Sequence, residues 1–210
     1  MLKEMKGNLL DAKEGLIGHQ VNCCGVMGAG VARQIREQLL QKEQFQEYKE
    51  LCDSYGSALL GNIQPVLINN GKYVVNLFGE DEPTGKGRDT DYQALHKSLK
   101  LMAEFALSEN LSIALPGYLG CGLAGGDWDF VYNMICKIMD IYRDIEVTVY
   151  YIPESIKMLW DDFGKVPMNP ETECIEEDWH RFPAGTFRED VWHWFEDTFD
   201  ICVAKDLMFS

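Results

Sequence analysis

The sequence predicts an open α/β sheet protein on three features: two units that each read strand, glycine loop, helix; a hairpin signal between them; and a 46% hydrophobic content in 210 residues. That length and apolar share suffice for one packed domain of usual size with an appendage. In the first unit, Gly15 to Asn22 is a short apolar run closed by turn residues, the signature of an interior parallel strand. Its loop is Cys23-Cys24-Gly25-Val26-Met27-Gly28-Ala29-Gly30. Val31, Ile35 and Leu39 then recur at helical spacing, which gives residues 31–40 one apolar face.

The second unit repeats that order. Leu111 to Pro116 reads as a strand, Gly117 to Asp127 as a glycine loop, and Phe130, Met134 and Ile138 mark one face of a helix over 130–139. Glycine lets backbone N–H groups come close to a ligand, and a helix N-terminus after each loop adds partial positive charge. Open α/β sheets bind ligands at the carboxyl ends of their strands. Two such loops at one sheet edge would hold a diphosphate between them, mostly through backbone amides, because neither contains a cationic cluster. Neither loop fits the dinucleotide fingerprint or the P-loop, and tight turning alone is the competing reading.

Between the units, Phe45 to Cys52 is helical, and Tyr55 to Gly61 turns into a strand over 62–68. Asn70-Gly71 joins it to a second apolar run over 72–78, a hairpin signal. Residues 80–91 are polar, with Pro83, Gly85 and Gly87, and read as an exposed loop that could reach over a ligand before a helix over 92–107. From Pro153 the composition shifts: the last 58 residues hold Trp160, Trp179, Trp192 and Trp194 and an excess of acids. Aromatic density of that kind predicts an extension packed on the main domain, with a surface for a protein partner as the other reading. Cys174, His180, His193 and Cys202 match no structural zinc spacing.

Net charge is −15, and residues 153–210 contribute 14 acidic against 5 basic side chains. That balance argues against gripping a nucleic-acid backbone, which needs clustered Lys and Arg, yet leaves a small anionic ligand open. The seven cysteines are scattered, and neither a signal peptide nor an apolar run of membrane-spanning length is present. The expectation is a soluble cytoplasmic protein with free thiols, without a membrane partner.

Over residues 1–152 the order of motifs resembles the macrodomain family, the ADP-ribose-binding modules. The resemblance rests on Lys6-Gly7-Asn8-Leu9-Leu10, His19-Gln20-Val21-Asn22, Met27-Gly28-Ala29-Gly30-Val31-Ala32, the run from Gly120 to Trp128, and Val147 to Tyr151. It implies a three-layer α/β/α fold with a mixed central sheet, followed by the acidic, aromatic-rich extension at 153–210. It also implies an ADP-ribose-type ligand with no cofactor and no metal. Adenine would lie near Asn8, Leu9 and Tyr150. The diphosphate would lie between Met27, Gly28, Ala29, Gly30 and Val31 on one side and Pro116, Gly117, Leu119, Gly120, Cys121, Gly122 and Leu123 on the other. Gln20 is also expected to contact the ligand, and the distal ribose would lie near His19 and Asn22.

Within that family the stretch from Tyr48 to Gly61 and the His19 segment are similar to the branch that includes ADP-ribose-1″-phosphate phosphatases. The implied activity is removal of the 1″-phosphate, with His19 as general acid/base and Asn22 orienting a ribose hydroxyl or water. Asp127 heads the second-loop helix, where an N-cap is its plain role and water activation its chemical one. Cys121 could have its thiol pKa depressed by the nearby helix end, although packing under the loop is its expected role. Two rivals stand beside this reading: an ADP-ribosyl hydrolase acting on modified protein or nucleic acid, and a non-catalytic ADP-ribose reader. Members that release ADP-ribose from glutamate or DNA bases carry a lysine just after the strand equivalent to 74–78, where this chain has Gly79-Glu80-Asp81. The glutamate-directed members also have an acid where this chain has Ala124, and Lys86 is the nearest cation left for the lysine's task.

Overall fold

The parallel strands of the sheet are separated in sequence by crossovers long enough to return the chain to the same end of the sheet. The computed structural model describes residues 2–151 together with Ala184 and Gly185. Its strands are β1 (Leu2–Lys6), β2 (Leu16–Asn22), β3 (Ile63–Leu67), β4 (Tyr73–Glu80), β5 (Ile113–Pro116) and β6 (Val147–Tyr151). Its helices are α1 (Gly30–Gln38), α2 (Lys42–Tyr55), α3 (Tyr92–Ser108) and α4 (Trp128–Ile141). The sheet order is β1-β6-β5-β2-β4-β3, and β3 alone runs antiparallel.

The hairpin forms where Asn70-Gly71 predicts it. Gly71 takes φ +78, and the Ile68 amide donates to the Lys72 carbonyl at 2.8 Å, closing the β3–β4 turn. Pro65 lies in β3, an edge strand, which is where a residue without a ladder donor is tolerated. The other edge, β1, carries Lys3, Glu4 and Lys6 and is largely exposed; its charges discourage edge-to-edge pairing.

Helices cover both faces. On one, Leu95, Leu99 and Met102 of α3 and Val131, Ile135 and Ile138 of α4 close over Leu16, Leu77, Ile113, Leu115 and Val147. On the other, Ile35 of α1 packs with Ile17 and Val74, while Tyr48 and Cys52 of α2 pack with Val21, Met27 and Phe78. Each fully buried Leu or Ile contributes about 1.5–3 kcal/mol, so the sheet is held from both sides and its loop-bearing edge is a rigid platform. Residues 2–151 form one unit; the expected docking of 153–210 lies outside the described residues. No helix among the described residues is long and apolar enough to cross a membrane.

Candidate functional site

The strand order reverses direction between β5 and β2. From β2 the chain winds to β4 and β3 on one side, and from β5 it winds to β6 on the other, so a crevice opens at the carboxyl ends of this central pair. Both glycine loops leave from that point.

The first loop, residues 23–29, is shaped by Asn22. The Asn22 Oδ1 accepts from the amides of Cys24 (3.0 Å) and Val26 (3.2 Å), and its Nδ2 donates to the Val26 carbonyl at 2.8 Å. Tyr48 donates its hydroxyl to the Asn22 carbonyl at 2.8 Å from beneath. Asn22, the residue expected near the distal ribose, is buried and uses both its amide oxygen and its amide nitrogen to shape the loop. Met27 plugs into the core beside Tyr48 and Phe78, leaving Gly28 at the surface. Among the described residues a Cβ at Gly28 would meet only Val26 Cγ1, at 3.6 Å, so none of them requires glycine there. At the loop's end Ala29 precedes α1 with no side-chain cap, and the first turn contains no acid. A helix end of that kind, with no side-chain cap and no acid, is suited to donate its amides to an anion.

The second loop differs in its exit. Asp127 caps α4 through Oδ1, which accepts from the Phe130 amide at 2.8 Å, and Asp129 adds a second acid to the first turn. Asp127 thus has the cap role, and its carboxylate with that of Asp129 places negative charge at the α4 terminus, which offsets the positive helix end expected after each loop. The loop is held from outside. Thr90 donates its hydroxyl to the Gly120 carbonyl at 2.5 Å and accepts from Gln20 Nε2 at 3.0 Å, while the amides of Asp89 and Thr90 donate to the Ala124 carbonyl. Gly126 returns its amide to the Gly120 carbonyl at 2.9 Å, and a Cβ there would strike that oxygen. Leu119 is buried, Leu123 and Tyr118 are exposed, and Tyr118 sits at φ +61 within reach of the Trp128 and Tyr151 rings. Pro116 is the last residue of β5, and a Cβ on Gly117 would overlap the Tyr151 ring, so the chain passes close under that aromatic group. Gly122 accepts from Gly125 through its carbonyl at 2.9 Å, tightening the same turn.

Cys121 is no nucleophile in this setting. Burial and the nearby Asp127 charge push its thiol up to about 12, the reverse of what a nearby helix end alone could bring. Its sulfur donates to the Leu119 carbonyl at 3.2 Å, so it packs under the loop.

His19 is also corrected in place. It lies in mid-strand, only 1% exposed, and not at the strand end. Its register partner Asn76 receives Nε2–H through Oδ1 at 2.7 Å, and Asn76 in turn donates to Gln64 Oε1 at 2.9 Å. That direction of donation leaves His19 Nδ1 unprotonated, buried and without a partner. Burial lowers the imidazole pKa to about 4, so the ring is neutral at physiological pH and forms a polar row inside the core.

A carboxyl that the motifs do not mark stands closer to the loops. Glu80 ends β4, opposite Asn22 at the end of β2, and its backbone carbonyl accepts from the Cys23 amide at 3.1 Å. Burial first, then the Asp89 charge, raises its pKa to about 7, while a hydrogen bond from the Gln20 amide opposes the shift. No sequence motif signals this, because the effect comes from neighbours that folding brings in. Lys86, by contrast, is exposed in the 81–89 loop. Gln20 is half-buried and its Oε1 has no partner.

At the opposite end of the crevice, Asn8 Oδ1 accepts from the Leu10 amide and caps a single helical turn, with Leu9 buried beneath it. Tyr150 is buried next to Leu9 and Ala12, and its hydroxyl donates to Glu14 Oε2 at 2.9 Å. The two elements expected to flank adenine are therefore adjacent, although Asn8 uses its acceptor locally. Among the described residues no group of three or more His, Cys, Asp or Glu is placed to hold a metal.

An α/β/α sheet with paired glycine loops at its switch point defines a class of nucleotide-type binding modules. No family profile matches the chain. It is 30% identical over 160 residues to the DNA ADP-ribosyl glycohydrolase of Thermus aquaticus, a match that covers 75% of this chain and 43% of that protein, so the chain spans less than half of this relative. It is 29% identical over 147 residues to the ADP-ribose glycohydrolase of Homo sapiens, covering 70% of this chain and 88% of that one. Among solved structures, the macrodomain of Mycobacterium tuberculosis DarG superposes with a TM-score of 0.63 at 25% identity, covering 71% of this chain and 97% of that one. Residues 2–151 have the macrodomain fold.

Proposed function

We propose that this macrodomain binds ADP-ribose in the crevice between the two glycine loops and hydrolyses the bond that joins another group to the 1″ position of the terminal ribose. The observation that carries the reading is the amino end of α1, which follows the first loop with no side-chain cap and no acid in its first turn among the described residues, while Thr90 latches the second loop. Such an end favours a diphosphate by geometry and by dipole. The names of the relatives, glycohydrolases of ADP-ribosylated DNA and of ADP-ribose, support a substrate in which ADP-ribose is the recognised part. With a net charge of −15, recognition through ADP-ribose rather than through a nucleic-acid backbone fits the electrostatics.

A second reading, release of the 1″-phosphate from ADP-ribose-1″-phosphate, is favoured by one specific observation. β4 ends in Gly79-Glu80-Asp81 and position 124 is alanine, so neither the lysine nor the acid of the related glycohydrolases is present. The discriminating experiment is a calorimetric titration with ADP-ribose alongside turnover of three substrates: ADP-ribosylated single-stranded oligonucleotide, glutamate-ADP-ribosylated peptide and ADP-ribose-1″-phosphate. Release of ADP-ribose from either conjugate supports the first reading. Phosphate release alone selects the second; binding without any turnover would leave a reader, and no binding would sink both.

A further inference from the structure

We propose that Glu80 is the general base of this site, a role that rests on the hydrolase reading under Proposed function. The strand order places it. Across the sheet the sequence β1-β6-β5-β2-β4 puts Asn8 and Tyr150 at one end of the crevice, the two glycine loops in the middle, and the end of β4 at the other. A ligand with adenine at the first end and its diphosphate at the middle directs its terminal ribose toward Glu80.

Residue 80 is tied to both loops. Its carbonyl receives the Cys23 amide of the first, and it forms a β-bridge with Thr90, whose hydroxyl holds Gly120 of the second. The side chain is half-buried and contacts the Gln20 amide. Gln20 contributes an independent observation: its Oε1 is buried without a partner among the described residues. A ribose hydroxyl, a water or a protonated Glu80 would supply the missing donor. The titratable groups around Glu80 are Asp89, Cys23, Cys24 and Tyr48, with Asp81 and Glu82 next along the chain, and no cation pairs with it among the described residues. Together with burial, that acidic surrounding holds its titration near neutrality, the range in which a carboxyl both takes and returns a proton.

The step balances as hydrolysis. Glu80 takes a proton from water as the water oxygen bonds to C1″. The C1″ bond to the leaving oxygen or nitrogen breaks, with its electron pair remaining on that atom. Glu80 then returns the proton to the leaving atom, restoring the carboxylate.

The test is Glu80→Gln in the full chain, assayed on whichever of the three substrates the wild type turns over, with calorimetry on ADP-ribose. The expected result is a loss of turnover of about 100-fold or more. ADP-ribose affinity should stay within about threefold, and the melting temperature at pH 8 should match or exceed wild type, because the amide carries no buried charge. Wild-type turnover should rise as pH rises through about 7, since the base must be ionised, and that limb should vanish in the variant. Glu80→Asp, which keeps the carboxyl but shortens its reach, should retain a limb at reduced rate. Turnover preserved in Glu80→Gln, or an unchanged pH limb, overturns the proposal while leaving the hydrolase reading intact. A wild type that binds ADP-ribose but turns over none of the substrates overturns both.

Discussion

The two glycine loops look alike in sequence and differ in their supports and in the helix each one enters. The first is shaped by a side chain of its own strand, Asn22, and leads into a helix whose amides are uncapped. The second is latched by Thr90, far away in sequence, and leads into a helix already capped by Asp127. The difference teaches a division of labour. In the proposed binding mode negative charge is met at the α1 terminus, an effect of about 0.3–1 kcal/mol and more when partly buried, while the second loop supplies a fixed wall.

Breaking the first loop should have the larger effect. Asn22→Ala removes three hydrogen bonds within the loop, and ADP-ribose affinity should fall about 30-fold by calorimetry, close to ~2 kcal/mol. A change under threefold would mean that the loop keeps its shape without Asn22. Thr90→Val tests the other side: it deletes the hydroxyl under Gly120 at nearly constant volume and should weaken binding about five- to tenfold, with Thr90→Ser restoring most of it. Equal losses in both variants would erase the asymmetry. The smallest effect belongs to Asp127→Ala, which should lower unfolding stability by about 1 kcal/mol in a denaturant titration with ADP-ribose affinity unchanged. Loss of turnover in that variant at undiminished stability would instead give Asp127 a part in the chemistry.

Much of the architecture is legible in the sequence because local pattern and tertiary need agree. Val31 and Ile35 mark α1, Asn70-Gly71 marks the β3–β4 turn, and Val147 to Tyr151 forms β6. β1 is not legible: Leu2–Lys6 is a charged edge strand whose hydrogen bonds come from β6, at the other end of the domain. The glycine loops are legible as loops, but their inequivalence is not, since it depends on Thr90 and on which helix end is capped. The mid-strand burial of His19 is not legible, because a histidine near a strand end carries no mark of it; the register with Asn76 supplies it. Glu80 escapes notice for the same kind of reason, as its raised pKa arises from burial and Asp89, neither visible as a motif.

Gly28 offers the most direct test of the crevice. Among the described residues there is room for a Cβ there, with Val26 Cγ1 at 3.6 Å the one neighbour within 4 Å. Gly28→Ala should therefore fold with the wild-type melting temperature, and calorimetry should show ADP-ribose affinity reduced about tenfold or more, because the added methyl occupies space meant for the diphosphate. Unchanged affinity at an unchanged melting temperature would contradict the account, since the ligand would then not pass over the first loop at all.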